Sequence, residues 1–197
     1  MTDFKRYKSI TLVDLDGTLV KVNTWPFFAR KVLNQAFGKG KVPMAFCLGF
    51  MLLLRKLKFI SHKRIKKFFL LRSHDLLNKH DREKFAFEMS CHFNPDVLRL
   101  LEEASHKDSL IVMATAAAGE YAPLISAHAG INKTLCSPRA CKGTDYIECR
   151  GDKKADEAQK LAELSGLPVS LVITDHNDDL PLFNRFPRAR HIMIGKD

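Results

Sequence analysis

The sequence contains no apolar run of the roughly twenty residues that a membrane-spanning helix needs. Its uncharged stretch Val42–Leu54 has 13 residues. There is no internal repeat and no low-complexity segment. The five cysteines, Cys47, Cys91, Cys136, Cys141 and Cys149, include no Cys-x-x-Cys pair. No His or Cys set with zinc spacing accompanies Cys136 and Cys141. A disulfide scaffold and a zinc module are therefore both excluded, and all five cysteines are read as structural thiols of a reduced protein. The opening Met1–Lys8 is polar and leads straight into an apolar strand, without the apolar segment of a signal peptide. The expectation is a cytoplasmic protein.

Acidic residues are unevenly missing. None occurs from Leu19 to Lys41. Residues 21–84 carry 16 Lys and Arg against 3 Asp and Glu, so this segment alone accounts for more than the whole chain's net charge of +10. A basic excess of this kind attracts anionic surfaces or phosphorylated ligands. No specific nucleic acid is expected as a partner. A weak, salt-sensitive contact of the basic segment with anionic membrane is expected instead. The run Val42–Leu54 is expected to be a helix buried in the core of this segment, which limits that contact to its electrostatic part; the alternative is an interfacial helix with basic flanks, lying on anionic membrane.

Two carboxylates stand out against this background. Ile10–Val13 reads as a short buried strand, and Asp14-Leu15-Asp16-Gly17-Thr18 follows at its C-terminal tip. Gly17 allows a sharp turn, and Thr18 can bond backbone within it. Ligands of open α/β sheets bind at the carboxyl ends of strands. Two acids there can hold a divalent metal, or divide the roles of nucleophile and proton donor.

Three later stretches fit the same edge. Leu110–Ala114 is a second apolar strand and ends in Thr115. Lys153 and Lys154 open a helix after Cys149-Arg150-Gly151-Asp152. Leu171–Thr174 is a third strand and ends in Asp175-His176-Asn177-Asp178-Asp179-Leu180-Pro181. Between the first two stretches the pattern is helical. Thr24 reads as an N-cap of a helix ending near Gly38, Ser61 caps a basic helix over Lys63–Leu71, Asp81–His92 forms another, and Asn94-Pro95 opens a helix to Ser105. Beyond it, strands are expected at 109–114, 132–136, 169–173 and 190–194. They alternate with helices at 119–129, 154–165 and 178–184, which argues for a parallel sheet wound on both faces. Residues 137–148 are irregular, with room for a small hairpin.

The order acid pair, hydroxyl, lysine, acid pair resembles the four motifs of the haloacid-dehalogenase-like (HAD) superfamily of phosphatases. The resemblance covers residues 9–20 and 108–195. It implies an α/β fold with a Rossmann-like parallel-sheet core formed by 1–20 and 106–197, and a small all-helical cap inserted as 21–105. An insertion directly after the first motif is similar to the phosphoserine-phosphatase-like branch.

The resemblance also implies roles. Asp14 would be the nucleophile that forms an aspartyl-phosphate. Asp16 would protonate the leaving oxygen and then activate water. Thr115 would bond a phosphate oxygen, and Lys154, rather than Lys153, would neutralise phosphate and steady Asp14. Mg²⁺ would be held by Asp14, the backbone carbonyl of Asp16 and Asp175, with Asp179, rather than Asp178, supporting the metal site. An acid at the position of Asp16 separates phosphatases and phosphotransferases of this family from its dehalogenases, because a halide leaves without a proton. Thr174 stands where the family usually has Gly, His176 replaces a common small residue, and Thr115-Ala116-Ala117 replaces a Ser-Gly-Gly motif. With no acid soon after the first motif, the substrate is expected to be a small phosphate monoester other than phosphoserine. The function is thus read as Mg²⁺-dependent phosphate-monoester hydrolysis. The alternatives are a phosphotransferase of the same fold, or a non-catalytic module binding membrane surface or nucleic acid.

Overall fold

The computed structural model describes residues 4–131 and 133–195. The start of the polar opening, Met1–Asp3, and Asn132, the first residue of the strand expected at 132–136, lie outside the described residues. Five parallel strands form one sheet: β1 (Ser9–Val13), β2 (Ser109–Ala118), β3 (Lys133–Ser137), β4 (Val169–Thr174) and β5 (Arg190–Met193), in the order β3-β2-β1-β4-β5. This is the expected α/β parallel-sheet fold.

Alternation along the strands divides the core in two. Ile10, Leu12, Leu110, Val112 and Val172 face one side, where they pack against α7 (Asp152–Ser165) and α8 (Leu180–Arg185). Val13, Met113 and Ile173 face the other, together with α6 (Ala122–His128) and the helices inserted after β1. β1 is central, so both its faces are covered and its tip is flanked by the ends of β2 and β4.

The connection from β1 to β2 contains five helices: α1 (Thr24–Gly38), α2 (Val42–Lys56), α3 (His62–Leu76), α4 (Lys79–Ser90) and α5 (Pro95–His106). Their starts follow local chemistry. Ser61 caps α3, Asn94 caps α5, and Asn78 with Asp81 forms a reciprocal capping box on α4. α1 is capped by Asn23, whose side chain accepts from Trp25 N–H, and not by Thr24 as expected. The Thr24 hydroxyl instead donates to the buried Tyr121 OH at 3.3 Å. A tertiary partner has taken it, and the neighbouring Asn supplies the cap.

Three further expectations are corrected. β2 does not end before Thr115 but continues to Ala118, with an irregularity against β3 after Ala114. No hairpin forms in the irregular segment that follows β3. The run Val42–Leu54 is not buried in the helical layer. α2 buries only Ala45 and Leu48 fully, while Phe46, Phe50 and Leu53 are exposed. An all-apolar run has no polar face to mark its outside, so periodicity could not assign one.

Candidate active site

The turn after β1 determines where the first acid pair points. Leu15 is fully buried between the two acids, so Asp14 and Asp16 both turn toward the C-terminal edge of the sheet. Gly17 adopts φ +80°, and its N–H donates to Val20 O at 2.8 Å. A Cβ at this position would lie 2.2 Å from Asp175 Oδ2, so the close approach of the turn to Asp175 requires glycine. Thr18 Oγ1 donates to Asp175 Oδ1 at 3.3 Å, tying the β1 turn to the end of β4.

Lys154 comes from the first turn of α7, opened by Gly151 at φ +57°. Its Nζ donates to Asp14 Oδ1 at 2.8 Å and also meets Asp179, with contacts at 2.7 and 2.8 Å to the two carboxylate oxygens. Only 3 % of the Lys154 side chain is exposed. Lys153, one residue earlier, points outward to Glu157. Asp179 is buried and also accepts from Thr174 Oγ1 at 2.6 Å. Asp178 also lines the cleft but is turned away from Lys154, paired with Arg150 and His176. Of the two adjacent pairs, Lys154 and Asp179 are therefore the members brought to Asp14. Thr174, where the family usually has Gly, has a visible partner in Asp179.

Burial shapes the charges here. It raises the Asp14 carboxyl to about 7; Lys154 opposes this, and Asp179 and Asp16 add to it. For Lys154, burial works against the charged form, but Asp14 and Asp179 outweigh it, and its ammonium is held well above the ordinary range. Burial also raises the Asp16 carboxyl, opposed chiefly by the Thr24 backbone N–H, which donates to Asp16 Oδ1 at 2.6 Å. Thr24 thus joins Asp16 to Tyr121, a fully buried side chain at the foot of the helical layer.

Thr115 is buried within β2 and lines the same cleft; its Oγ1 accepts from Ala117 N–H at 3.1 Å. The cleft has a volume of about 960 Å³. Its floor holds Asp14, Asp16, Thr115, Lys154, Asp175 and Asp179, so all six sequence-predicted site residues come together.

Its walls hold residues for which the sequence predicts no role. Trp25, His62 and Lys66 come from the helical insertion, and Arg150 and His176 from the core. Lys66 is almost wholly buried, donating to Ala116 O at 2.9 Å and pairing with Glu148. Within α3, which also carries Lys63, Arg64 and Lys67, nothing local marks Lys66 as the inward one. An apolar neighbour pattern offers the only signal, since Ile65, Phe69 and Leu70 are buried around it.

The haloacid dehalogenase-like hydrolase family matches residues 11–184, which is most of the chain. No curated protein matches its sequence. Among solved structures, a protein of unknown function from Bordetella pertussis Tohama I superposes with a TM-score of 0.71 at 13 % identity, covering 95 % of this chain and 90 % of that one. An apo phosphoserine phosphatase gives 0.61 at 12 % identity, covering 96 % and 94 %. A phosphoserine phosphohydrolase-like protein from Francisella tularensis subsp. tularensis SCHU S4 gives 0.53 at 14 %, covering 94 % and 86 %. At these identities the likeness is one of fold. The family match is decisive by its extent: the chain belongs to the haloacid dehalogenase-like hydrolases, and its fold is that of the family's phosphoserine-phosphatase-like members.

Proposed function

We propose that this haloacid dehalogenase-like hydrolase is a Mg²⁺-dependent phosphatase that cleaves a small phosphate monoester through an aspartyl-phosphate on Asp14. One observation carries the reading: Asp14, at the tip of the central strand, is held by Lys154 within the same cleft as Asp16 and Thr115. Asp14 would attack phosphorus, while Asp16, its carboxyl biased toward the protonated form by burial, gives a proton to the leaving oxygen. Asp16 then takes a proton from the water that hydrolyses the acyl-phosphate. Thr115 Oγ1 already accepts from Ala117 N–H, so its own hydrogen can be given to a phosphate oxygen. Lys154 offsets the charge gathered on the phosphoryl group. Thr24, through its backbone N–H, fixes the direction of Asp16.

The donor set fits Mg²⁺. The cleft brings together Asp14, Asp16, Asp175 and Asp179, an all-oxygen set, and Lys154 contacts only two of them. Among the described residues no three His, Cys, Asp or Glu side chains are gathered closely enough to hold a metal ion by themselves. Mg²⁺ keeps several waters and is bound by one or two carboxylates together with substrate oxygens. Asp14, the Asp16 carbonyl and Asp175 would hold it, and Asp179, committed to Lys154 and Thr174, would support them. When bound, the ion reduces repulsion between Asp14 and an anionic substrate.

Residues 21–105 are read as the cap over this core, contributing Trp25, His62 and Lys66 to the cleft wall. Lys21, Lys66 and Arg150 face the cleft beside Asp96, Glu148 and Asp178, so the wall offers cations to an anionic ester without a net positive charge. The test is a panel of phosphorylated metabolites assayed for phosphate release with Mg²⁺ and with a chelator. Metal-dependent turnover of one or more soluble monoesters is expected. A panel inactive under both conditions, with an intact fold, contradicts the reading.

A further inference from the structure

The exposed face of α2 is the largest feature that the hydrolytic reading leaves unused. At ~100° per residue, Val42, Phe46, Phe50 and Leu53 fall within one stripe about 80° wide. All four are exposed; Phe46 is 69 %, Phe50 59 % and Leu53 50 % accessible. Phe37 before the helix and Phe59 after it are exposed as well. An apolar groove of about 350 Å³ between α1 and α2, lined by Phe37, Phe46, Gly49 and Phe50, opens beside the stripe. Exposed aromatic residues grouped in this way mark an interaction surface.

Charge identifies what covers it. Lys39 and Lys41 precede the helix, and Lys56 and Lys58 follow the stripe; all four are exposed. Residues 17–74 contain 13 Lys and Arg and not one Asp or Glu. A second copy of this chain would bring an equal cationic segment against the first, and like charges disfavour that pairing. An anionic bilayer matches both features, with acyl chains for the aromatic stripe and headgroups for the flanking lysines. α2 has 15 residues, a length of about 22 Å that lies in the interface rather than crossing it. No described helix is long and apolar enough to span a membrane.

We propose that α2 docks this protein on anionic lipid bilayers, inserting Phe46, Phe50 and Leu53 below the headgroups while Lys39, Lys41, Lys56 and Lys58 bind the lipid phosphates. This surface function is independent of the hydrolytic reading, because bilayer binding requires no substrate and no turnover.

The test is co-sedimentation of the full chain with vesicles of phosphatidylcholine alone and of an equimolar mixture with phosphatidylglycerol, across a salt series. The wild type is expected to bind the mixed vesicles, and part of that binding is expected to persist at about 1 M salt, where screening acts within roughly 3 Å. F46S/F50S should lose the persistent part, and K56E/K58E should weaken low-salt binding roughly tenfold or more. Both pairs lie on the surface, and thermal melts matching wild type establish that they are folded. Binding that vanishes entirely at high salt, or that F46S/F50S leaves unchanged, overturns the insertion. So does a stable dimer in sedimentation velocity that F46S/F50S converts to monomer, since a second copy would then occupy the stripe.

Discussion

The ammonium of Lys154 lies 2.8 Å from the carboxylate of Asp14, where α7 meets the tip of β1, with Lys154 buried and Asp14 largely so. Asp179 receives the same ammonium. One cation therefore holds together acids from two strand ends, and its loss leaves both carboxylates buried without it. Lys154→Ala is expected to lower kcat by about 10²–10³-fold and to cost about 3–5 kcal/mol of stability. Lys153→Ala, which removes only a surface contact with Glu157, is expected to change neither by more than about twofold or 0.5 kcal/mol. Parallel kinetics and denaturant melts check this. If Lys153→Ala is the more damaging change, the role assigned to Lys154 is wrong.

Asp16 is separated from Asp14 by one residue but has different neighbours, with Thr24 N–H on its Oδ1. Asp16→Asn keeps the shape and removes the titrating proton. It is expected to permit attack on an activated aryl phosphate while slowing hydrolysis of the intermediate, so phosphoenzyme accumulates. Alkyl phosphates, whose leaving groups need a proton, should lose turnover in the first step. Acid-quench trapping of labelled protein reads both effects, and unchanged turnover on both ester types would refute the role.

Gly17 faces Asp175 so closely that a methyl group has no room. Gly17→Ala adds a left-handed backbone penalty of about 1 kcal/mol and forces the Asp175 carboxylate away. The expected result is a raised Mg²⁺ requirement together with a lowered melting temperature. An unchanged metal titration would show that Asp175 does not act where it stands.

The site's floor was readable in the sequence because its residues lie within or just after an apolar strand, or in the first turn of a helix. Such positions are set by local pattern, and a parallel sheet brings them to one edge. The walls were not readable. Lys66 is one of several cations along α3, and only the packing of Ile65 and Phe69 turns it inward. Thr24 illustrates the same limit. Its composition fits an N-cap, yet Tyr121, 97 positions away, takes its hydroxyl. α2 failed for the opposite reason, since thirteen uncharged residues carry no internal contrast from which to choose a buried face.

The cysteines give a test independent of catalysis. Burial pushes the Cys136 thiol up to about 11 and the Cys149 thiol likewise to about 11. Cys47, Cys91 and Cys141 are exposed. Thiolate is the reactive form, so near neutral pH the folded protein should alkylate rapidly at those three positions and slowly at Cys136 and Cys149. Denaturation should release the other two. Peptide mapping after timed labelling reads the order, and rapid labelling of Cys149 in the native protein would contradict its burial.

The central claim is that Asp14 is the nucleophile of a Mg²⁺-dependent phosphatase. Its most direct test is phosphate release from a generic aryl phosphate by wild type and Asp14→Asn, both with Mg²⁺ and matched for folding by thermal melt. The substitution keeps the side chain's shape and removes its nucleophilic charge. Wild type should turn over, and Asp14→Asn should fall to the uncatalysed background. Equal rates from the two folded proteins would contradict the assignment.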